Sequence, residues 1–81
     1  MIEAIGKELK ILRIRNGLSI EEVANNFNLS YETIRRYEAG SVDMSIEKLE
    51  KMLAYYKENV DIFFKNICAY NHKIDNKGKE G

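Results

Sequence analysis

The stretch from residue 17 to residue 40, GLSIEEVANNFNLSYETIRRYEAG, restricts the fold of this chain more than any other feature. Ser19 and Ser30 each precede a segment with apolar residues at helical spacing, and serine at that place predicts a helix N-cap. Glu22 follows Ser19 by three residues and completes a capping box. Gly40 predicts the end of the second segment, because glycine readily adopts the left-handed conformation found just past many helices. The stretch therefore predicts two short helices joined by a tight turn.

Three further segments also have apolar residues at helical spacing. Gly17 predicts the end of the first helix, Ser45 predicts the N-cap of the fourth, and Asn59 or its neighbours open a fifth that ends between residues 68 and 73. The apolar residues concerned are Ile2, Ile5, Leu9 and Leu12, then Ile46, Leu49, Leu53 and Tyr56, and finally Val60, Phe63, Phe64 and Ile67. With no proline and no strand pattern, we predict an all-α, compact five-helix bundle over residues 1–70, followed by a polar tail over 71–81.

Composition argues against several classes of protein. The chain has 81 residues, of which 44% are hydrophobic and 32% charged, as expected for one globular domain. It shows no signal peptide and no long apolar run, so we expect an intracellular protein without a membrane partner.

Cys68 and His72 could share a helix face, but two ligands do not make a zinc site. We therefore expect a buried thiol at Cys68 and a surface imidazole at His72. We see no catalytic set, and we expect no enzymatic activity, cofactor or small-molecule ligand.

The formal net charge is zero, which neither supports nor excludes a nucleic-acid partner. Arginine and lysine are unevenly distributed along the chain. All four arginines lie in residues 1–40, and the second half has lysines but no arginine. Arginine is the better residue for bidentate and phosphate contacts. The first half is therefore the better candidate for an anionic partner.

Two short helices joined by a tight turn form a helix-turn-helix. In such a unit the second helix lies in the DNA major groove and presents its N-terminal residues to the base edges. The third helix of this chain suits that role, because only Ile34 and Tyr37 are apolar on its inner side. The two residues between them are Arg35 and Arg36, and Tyr31, Glu32 and Thr33 precede them.

The same stretch resembles the Cro/repressor-type helix-turn-helix family, also called the XRE class. Seven residues carry the resemblance, in the order that the family pattern requires: Gly17, Leu18, Ala24, Ile34, Arg36, Glu38 and Gly40. The resemblance extends over about residues 3–67. It implies a lambda-repressor-like fold and a bacterial or phage transcriptional regulator similar to phage repressors and restriction–modification controller proteins. It does not distinguish a repressor from an activator.

The resemblance also implies which residues meet double-stranded DNA. Base contacts would come from Tyr31, Glu32, Thr33 and Arg36, and phosphate contacts from Ser19, Ser30, Arg35 and Ser41. Arginine suits the O6 and N7 acceptors of guanine, and glutamate can accept from cytosine N4. We expect Ser19 and Ser41 to act at helix N-termini, where backbone N–H groups favour an anion. One departure is Ile20, because many relatives have a phosphate-contacting glutamine there. We expect weaker backbone anchoring or an apolar contact at this position.

Glu38 stands near the C-terminus of the third helix, where the helix dipole disfavours a carboxylate. It therefore needs a partner. In proteins of the resembled family the corresponding acid pairs with an arginine of the first helix, and Arg13 lies at the matching position. We predict an Arg13–Glu38 ion pair, with an Arg13 directed to solvent or phosphate as the alternative.

The fifth helix predicts a homodimer. Its apolar residues spread around more than one face, so that some complete the core and the others form an exposed patch, which marks an interface. We predict a dimer interface of Val60, Phe63, Phe64 and Ile67, and the alternative is that the small core absorbs all of these side chains. The alternative to a DNA-binding dimer is a protein-interaction module, antitoxin-like or adaptor, built on a helix-turn-helix scaffold.

Overall fold

The helices begin and end where the capping residues predict. The computed structural model describes residues 2–69, in which all regular structure is helical. Helix α1 spans Ile2–Arg15, α2 spans Ile20–Phe27, α3 spans Tyr31–Ala39 and α4 spans Ile46–Tyr55. Helix α5 runs from residue 60 to residue 69, the last residue described. These five helices confirm the predicted all-α bundle over the described part of the chain, whereas the predicted tail, 71–81, lies outside it.

Side-chain caps and left-handed residues set the limits of the two short central helices. Ser19 accepts from the Glu22 backbone N–H, and the Glu22 side chain accepts in return from the Ser19 N–H, so the predicted capping box is present. Ser30 caps α3 by the same kind of bond. Asn28 adopts a left-handed φ of 56° and Gly40 one of 73°, which end α2 and α3 respectively. The helix-turn-helix is thus fixed at both ends of each of its helices.

The core lies where the inner faces of all five helices meet. Its largest fully buried side chains are Leu9, Leu12, Val23, Ile34, Met52, Leu53, Phe63 and Ile67. Phe63 and Ile67 are 0% and 1% exposed within a single chain. The prediction that these two side chains form a dimer interface is therefore wrong. A small bundle needs large side chains from its last helix to close its core, and these two supply them.

The N-terminal half of α1 lies unusually close to the end of α3. A Cβ atom at Gly6 would lie 2.6 Å from the backbone oxygens of both Tyr37 and Glu38. A Cβ atom at Gly40 would lie 2.8 Å from the Cα atom of Glu3. Both glycines therefore permit the close approach that holds α3 against α1. Sequence reasoning missed this role for Gly6, although a glycine inside a helical pattern often has a packing reason.

The sequence also predicts the environments of Cys68 and His72. Cys68 is exposed, not buried as expected, because Phe63 and Ile67 occupy the inward face of α5. His72 lies outside the described residues. Among residues 2–69 there is no group of three or more histidine, cysteine or acidic side chains that could hold a metal ion. No helix in that range has the length and apolarity needed to cross a membrane.

Candidate nucleic-acid interface

Helix α3 is anchored by a narrow inner stripe and exposes the remainder of its surface. Ile34 is fully buried and Tyr37 packs, half-buried, against the core. Tyr31, at the N-terminal end of the helix, is 54% exposed, and Glu32 and Arg36 are exposed beside it. The structure therefore brings these three predicted base-contacting residues together on one polar face.

The Glu32 carboxylate organises this face by binding both arginines of α3. Arg35 donates from Nε to Oε1 at 2.8 Å and from Nη2 to Oε2 at 2.6 Å, and Arg36 donates from Nε to Oε2 at 3.3 Å. The hydrogen bonds from Arg35 are the main reason that the pKa of Glu32 falls to about 2, and the charges of both arginines add to the effect. In this state the arginines are held along the helix surface, and part of their charge is neutralised by Glu32.

Thr33 and Ser30 form a separate polar pair at the start of α3. The Ser30 Oγ atom accepts from the Thr33 backbone N–H at 3.1 Å, and the two hydroxyl oxygens lie 2.8 Å apart. Thr33 is half-buried, unlike Tyr31 and Glu32. Both hydroxyl groups thus contribute to the N-cap, which limits how each could turn toward a base or a phosphate.

The two remaining serines differ in their backbone setting. Ser19 lies at the N-terminus of α2, as expected, and its Oγ atom accepts from the Glu22 N–H at 3.0 Å. Ser41 follows the C-terminal end of α3, and its N–H donates to the Arg36 carbonyl oxygen at 3.0 Å. The expectation that Ser41 offers a helix N-terminus to phosphate is therefore wrong. Ser45, not Ser41, caps the next helix.

The predicted pair of Arg13 and Glu38 lies beneath this face. Arg13 donates from Nε to Oε2 at 2.7 Å and from Nη2 to Oε1 at 3.1 Å. Its Nη1 atom donates to the Leu18 carbonyl oxygen at 2.9 Å. The hydrogen bond to Glu38 raises the pKa of Arg13, with burial acting in the opposite direction. One guanidinium therefore connects α1, α3 and the chain entering α2, and so sets the position of the helix-turn-helix on α1.

A cleft of about 260 Å³ opens between α1 and α3 above this ion pair. It is lined by Lys10 and Arg13 from α1, Ile20 from the start of α2, and Arg35, Glu38 and Ala39 from α3. Sequence reasoning missed Lys10, which lies one helical turn before Arg13. The i,i+3 spacing of these two cations was a signal that they share a face of α1.

Apolar side chains remain exposed on α4 and α5. Ile46, Val60 and Ile62 are each more than two-fifths exposed, and Phe64 is half-buried. Phe64 also lines an apolar groove of about 410 Å³, together with Ile46 and residues of α1 and α3. Val60 and Phe64, unlike Phe63 and Ile67, thus remain available for contact with a second molecule.

The capped pair α2–α3, with a buried inner stripe and an exposed polar face, defines a helix-turn-helix protein. Comparison with known families agrees with this assignment, because the helix-turn-helix domain family matches residues 4–61. The chain belongs to that family. The XRE class is compatible with this match and stays a prediction.

Two curated proteins show a similar sequence. One, from Pyrobaculum aerophilum, is provisionally named an HTH-type transcriptional regulatory protein; it is 31% identical over 55 residues, which cover 68% of this chain and 22% of that protein. The other, an uncharacterized HTH-type transcriptional regulator from Rickettsia conorii, is 27% identical over 67 residues, which cover 83% of this chain and 54% of that protein. The chain thus spans about a fifth and about half of the lengths of these relatives.

Proposed function

We propose that this protein is a sequence-specific, DNA-binding transcriptional regulator that inserts α3 into the major groove. The observation that carries the proposal is the exposed face of α3, on which Tyr31, Glu32 and Arg36 lie together beside a correctly capped turn. Such a helix presents its N-terminal side chains to base edges. The names of the two relatives, both HTH-type transcriptional regulators, support the same function.

In this proposal Arg36 makes the main base-specific contact. Its guanidinium has a single hydrogen bond to Glu32, at 3.3 Å, so Glu32 holds Arg36 less tightly than Arg35. Turned toward the groove, it can donate two hydrogen bonds to guanine O6 and N7. Glu32 would accept from cytosine N4, and Tyr31 would contact a thymine methyl or a phosphate. Thr33 is a weaker candidate, because its hydroxyl already pairs with Ser30.

Arg35, Ser19 and Ser30 are proposed to contact the DNA backbone. Ser19 and Ser30 lie at the N-termini of α2 and α3, where backbone N–H groups favour phosphate. Ser41 could contribute only its hydroxyl, because its backbone N–H is already bonded to Arg36.

We further propose that the protein acts as a homodimer on an inverted repeat. A two-fold dimer reads two half-sites about ten base pairs apart, which gives a small domain a longer specific site. The proposed interface contains Val60 and Phe64, and the exposed Ile46, which lines the same groove as Phe64, extends it. An apolar surface of this kind on a small protein is typical of an interaction site.

Selection of bound duplexes from a random pool, followed by titration at two salt concentrations, tests the proposal. We expect an inverted repeat with half-sites about ten base pairs apart. We also expect affinity to fall steeply with salt, because phosphate contacts release counterions. If folded protein recovers no sequence above background, the regulator proposal fails.

The second candidate is a protein-interaction module on the same scaffold. The binding of both arginines by Glu32 favours it, since a carboxylate on the outer face of α3 weakens attraction to a polyanion. For this candidate we expect the affinity for the protein partner to be unchanged by salt and by an Arg36→Ala substitution. The titration above therefore separates the two functions.

A further inference from the structure

We propose that the cleft between α1 and α3 is an anion site that binds one phosphate of the DNA backbone, with Lys10 and Arg35 as its ligands. The proposal rests on the DNA-binding function proposed above and adds a contact made by α1. Lys10 and Arg35 line the same cleft of about 260 Å³ although they come from different helices. Two cations that line one open concavity favour an anion with several acceptor oxygens.

The charges around the cleft are favourable, although the chain as a whole is neutral. Three cations, Lys10, Arg13 and Arg35, line it together with one carboxylate, that of Glu38, and a second carboxylate, that of Glu32, binds Arg35. Three cations against two carboxylates leave one positive charge in excess. Arg13 binds the Glu38 carboxylate through two hydrogen bonds, so Glu38 is compensated at the base of the cleft and does not repel an anion. Lys10 forms no ion pair with any residue in 2–69. Its charge is therefore available to a ligand.

Ile20 forms an apolar wall of the cleft. Its side chain has no hydrogen-bonding group and offers an anion no polar contact. An anion bound there therefore needs a cation besides Arg35. Lys10 on the other side of the cleft supplies the charge that Ile20 cannot. The cleft thus has its cations on α1 and α3 and an apolar side chain on α2.

Arg35 can reach an anion without leaving Glu32 completely. Two of its N–H groups, on Nε and Nη2, donate to Glu32. A guanidinium carries five N–H donors, so others remain for a phosphate in the cleft. Glu32 holds the Arg35 side chain in one orientation, which reduces the entropy lost when the phosphate binds.

The test compares Lys10→Ala with Lys51→Ala in the full chain. Lys51 is an exposed lysine of α4, outside the proposed DNA face, so both substitutions remove one exposed positive charge. We expect Lys10→Ala to weaken binding about threefold to tenfold on every duplex and to reduce the salt slope by about 0.9, because one phosphate contact is lost. The base preference in the selection should stay unchanged. Lys10→Arg should bind like the unchanged protein, and so should Lys51→Ala.

A second measurement uses inorganic phosphate as the probe, at constant ionic strength in chloride. We expect saturable NMR shifts at Lys10, Ile20 and Arg35 that disappear in Lys10→Ala. If the protein binds DNA but Lys10→Ala matches Lys51→Ala, the cleft proposal is overturned and the regulator proposal stands. If no duplex binds but phosphate produces these shifts, the anion site stands and DNA binding is wrong. If neither duplex nor phosphate responds, both proposals are overturned.

Discussion

Arg13 and Glu38, 25 residues apart in the chain, form a buried ion pair with an Nε–Oε2 distance of 2.7 Å. The two residues are only 9% and 8% exposed. The same guanidinium holds the Leu18 carbonyl oxygen. The position of α3 on α1 therefore depends on a buried interaction at the base of the proposed phosphate cleft.

Removal of one partner from this pair should destabilise the protein strongly. Glu38→Ala leaves the buried Arg13 charge without its carboxylate, and such a change costs about 3 kcal/mol. Urea denaturation followed by circular dichroism measures this loss. Glu50→Ala, at an exposed position of α4, is the matched control and should change stability by no more than about 0.5 kcal/mol. Equal stability of the two variants would show that the pair does not hold α3 in place.

Gly6→Ala should destabilise the protein although alanine favours helices. Its new Cβ atom would lie 2.6 Å from two backbone oxygens of α3, which cannot rotate away as a side chain can. We expect a loss of about 2 kcal/mol from the forced separation of α1 and α3. Gly17→Ala is the control, because nothing lies within 4 Å of its Cβ position and only the strain of φ +69° remains. A stabilised Gly6→Ala variant in the same urea experiment would contradict the close packing.

Glu32 should remain ionised well into the acid range. Its pKa is about 2 in the folded protein, against an ordinary value of 4.5, chiefly because Arg35 donates to its carboxylate. A lowered pKa means that the pair stabilises the fold above about pH 4.5 and that this contribution disappears as pH falls toward about 2. NMR titration of the side-chain carboxyl carbon measures the midpoint. Arg35→Ala should move that midpoint upward, and an unchanged midpoint would argue against the pair.

Substitutions on the two sides of α5 should have different effects. Val60→Glu places a charge on the exposed patch and should give monomers in sedimentation if the proposed dimer forms there, with little change in stability. Lys65→Glu, at an exposed charged position of the same helix, should leave the dimer intact. A dimer that persists in Val60→Glu would place the interface elsewhere.

Phe63→Ala should act on folding instead of association. Phe63 is fully buried, so its truncation leaves a cavity and should cost about 3–5 kcal/mol. Thermal unfolding monitored by circular dichroism measures the loss. A variant as stable as the unchanged protein would contradict the assignment of Phe63 to the core.

Arg36→Ala should weaken specific DNA binding about tenfold to a hundredfold and relax the base preference at one position of each half-site. The reason is the loss of a bidentate contact to one base, and duplex selection with the variant measures it. Lys65→Ala serves as the control for the loss of one positive charge. If both variants keep the same preference, Arg36 does not read a base.

The sequence alone determined the local features of the helix-turn-helix. Ser19, Ser30 and Gly40 each act within a few residues of their own position, through a cap or a left-handed turn. Their effect depends on short spacings, so the starts of α2 and α3 and the end of α3 followed directly from the residue types. The Arg13–Glu38 pair was predictable for another reason: a carboxylate at a helix C-terminus needs a cation, and the family resemblance indicated which one.

The tertiary structure decided which side of a helix faces the core and which helices come close to each other. Phe63 and Phe64 are neighbours of the same type, yet one is buried and the other lines a groove, because only the packing of α5 selects between them. Lys10 and Arg35 are distant in the chain, and their common cleft depends on the α1–α3 crossing. Caps act locally and can be predicted from residue spacing. The burial of a side chain, and the meeting of residues from different helices in one cleft, depend on how the helices pack in three dimensions.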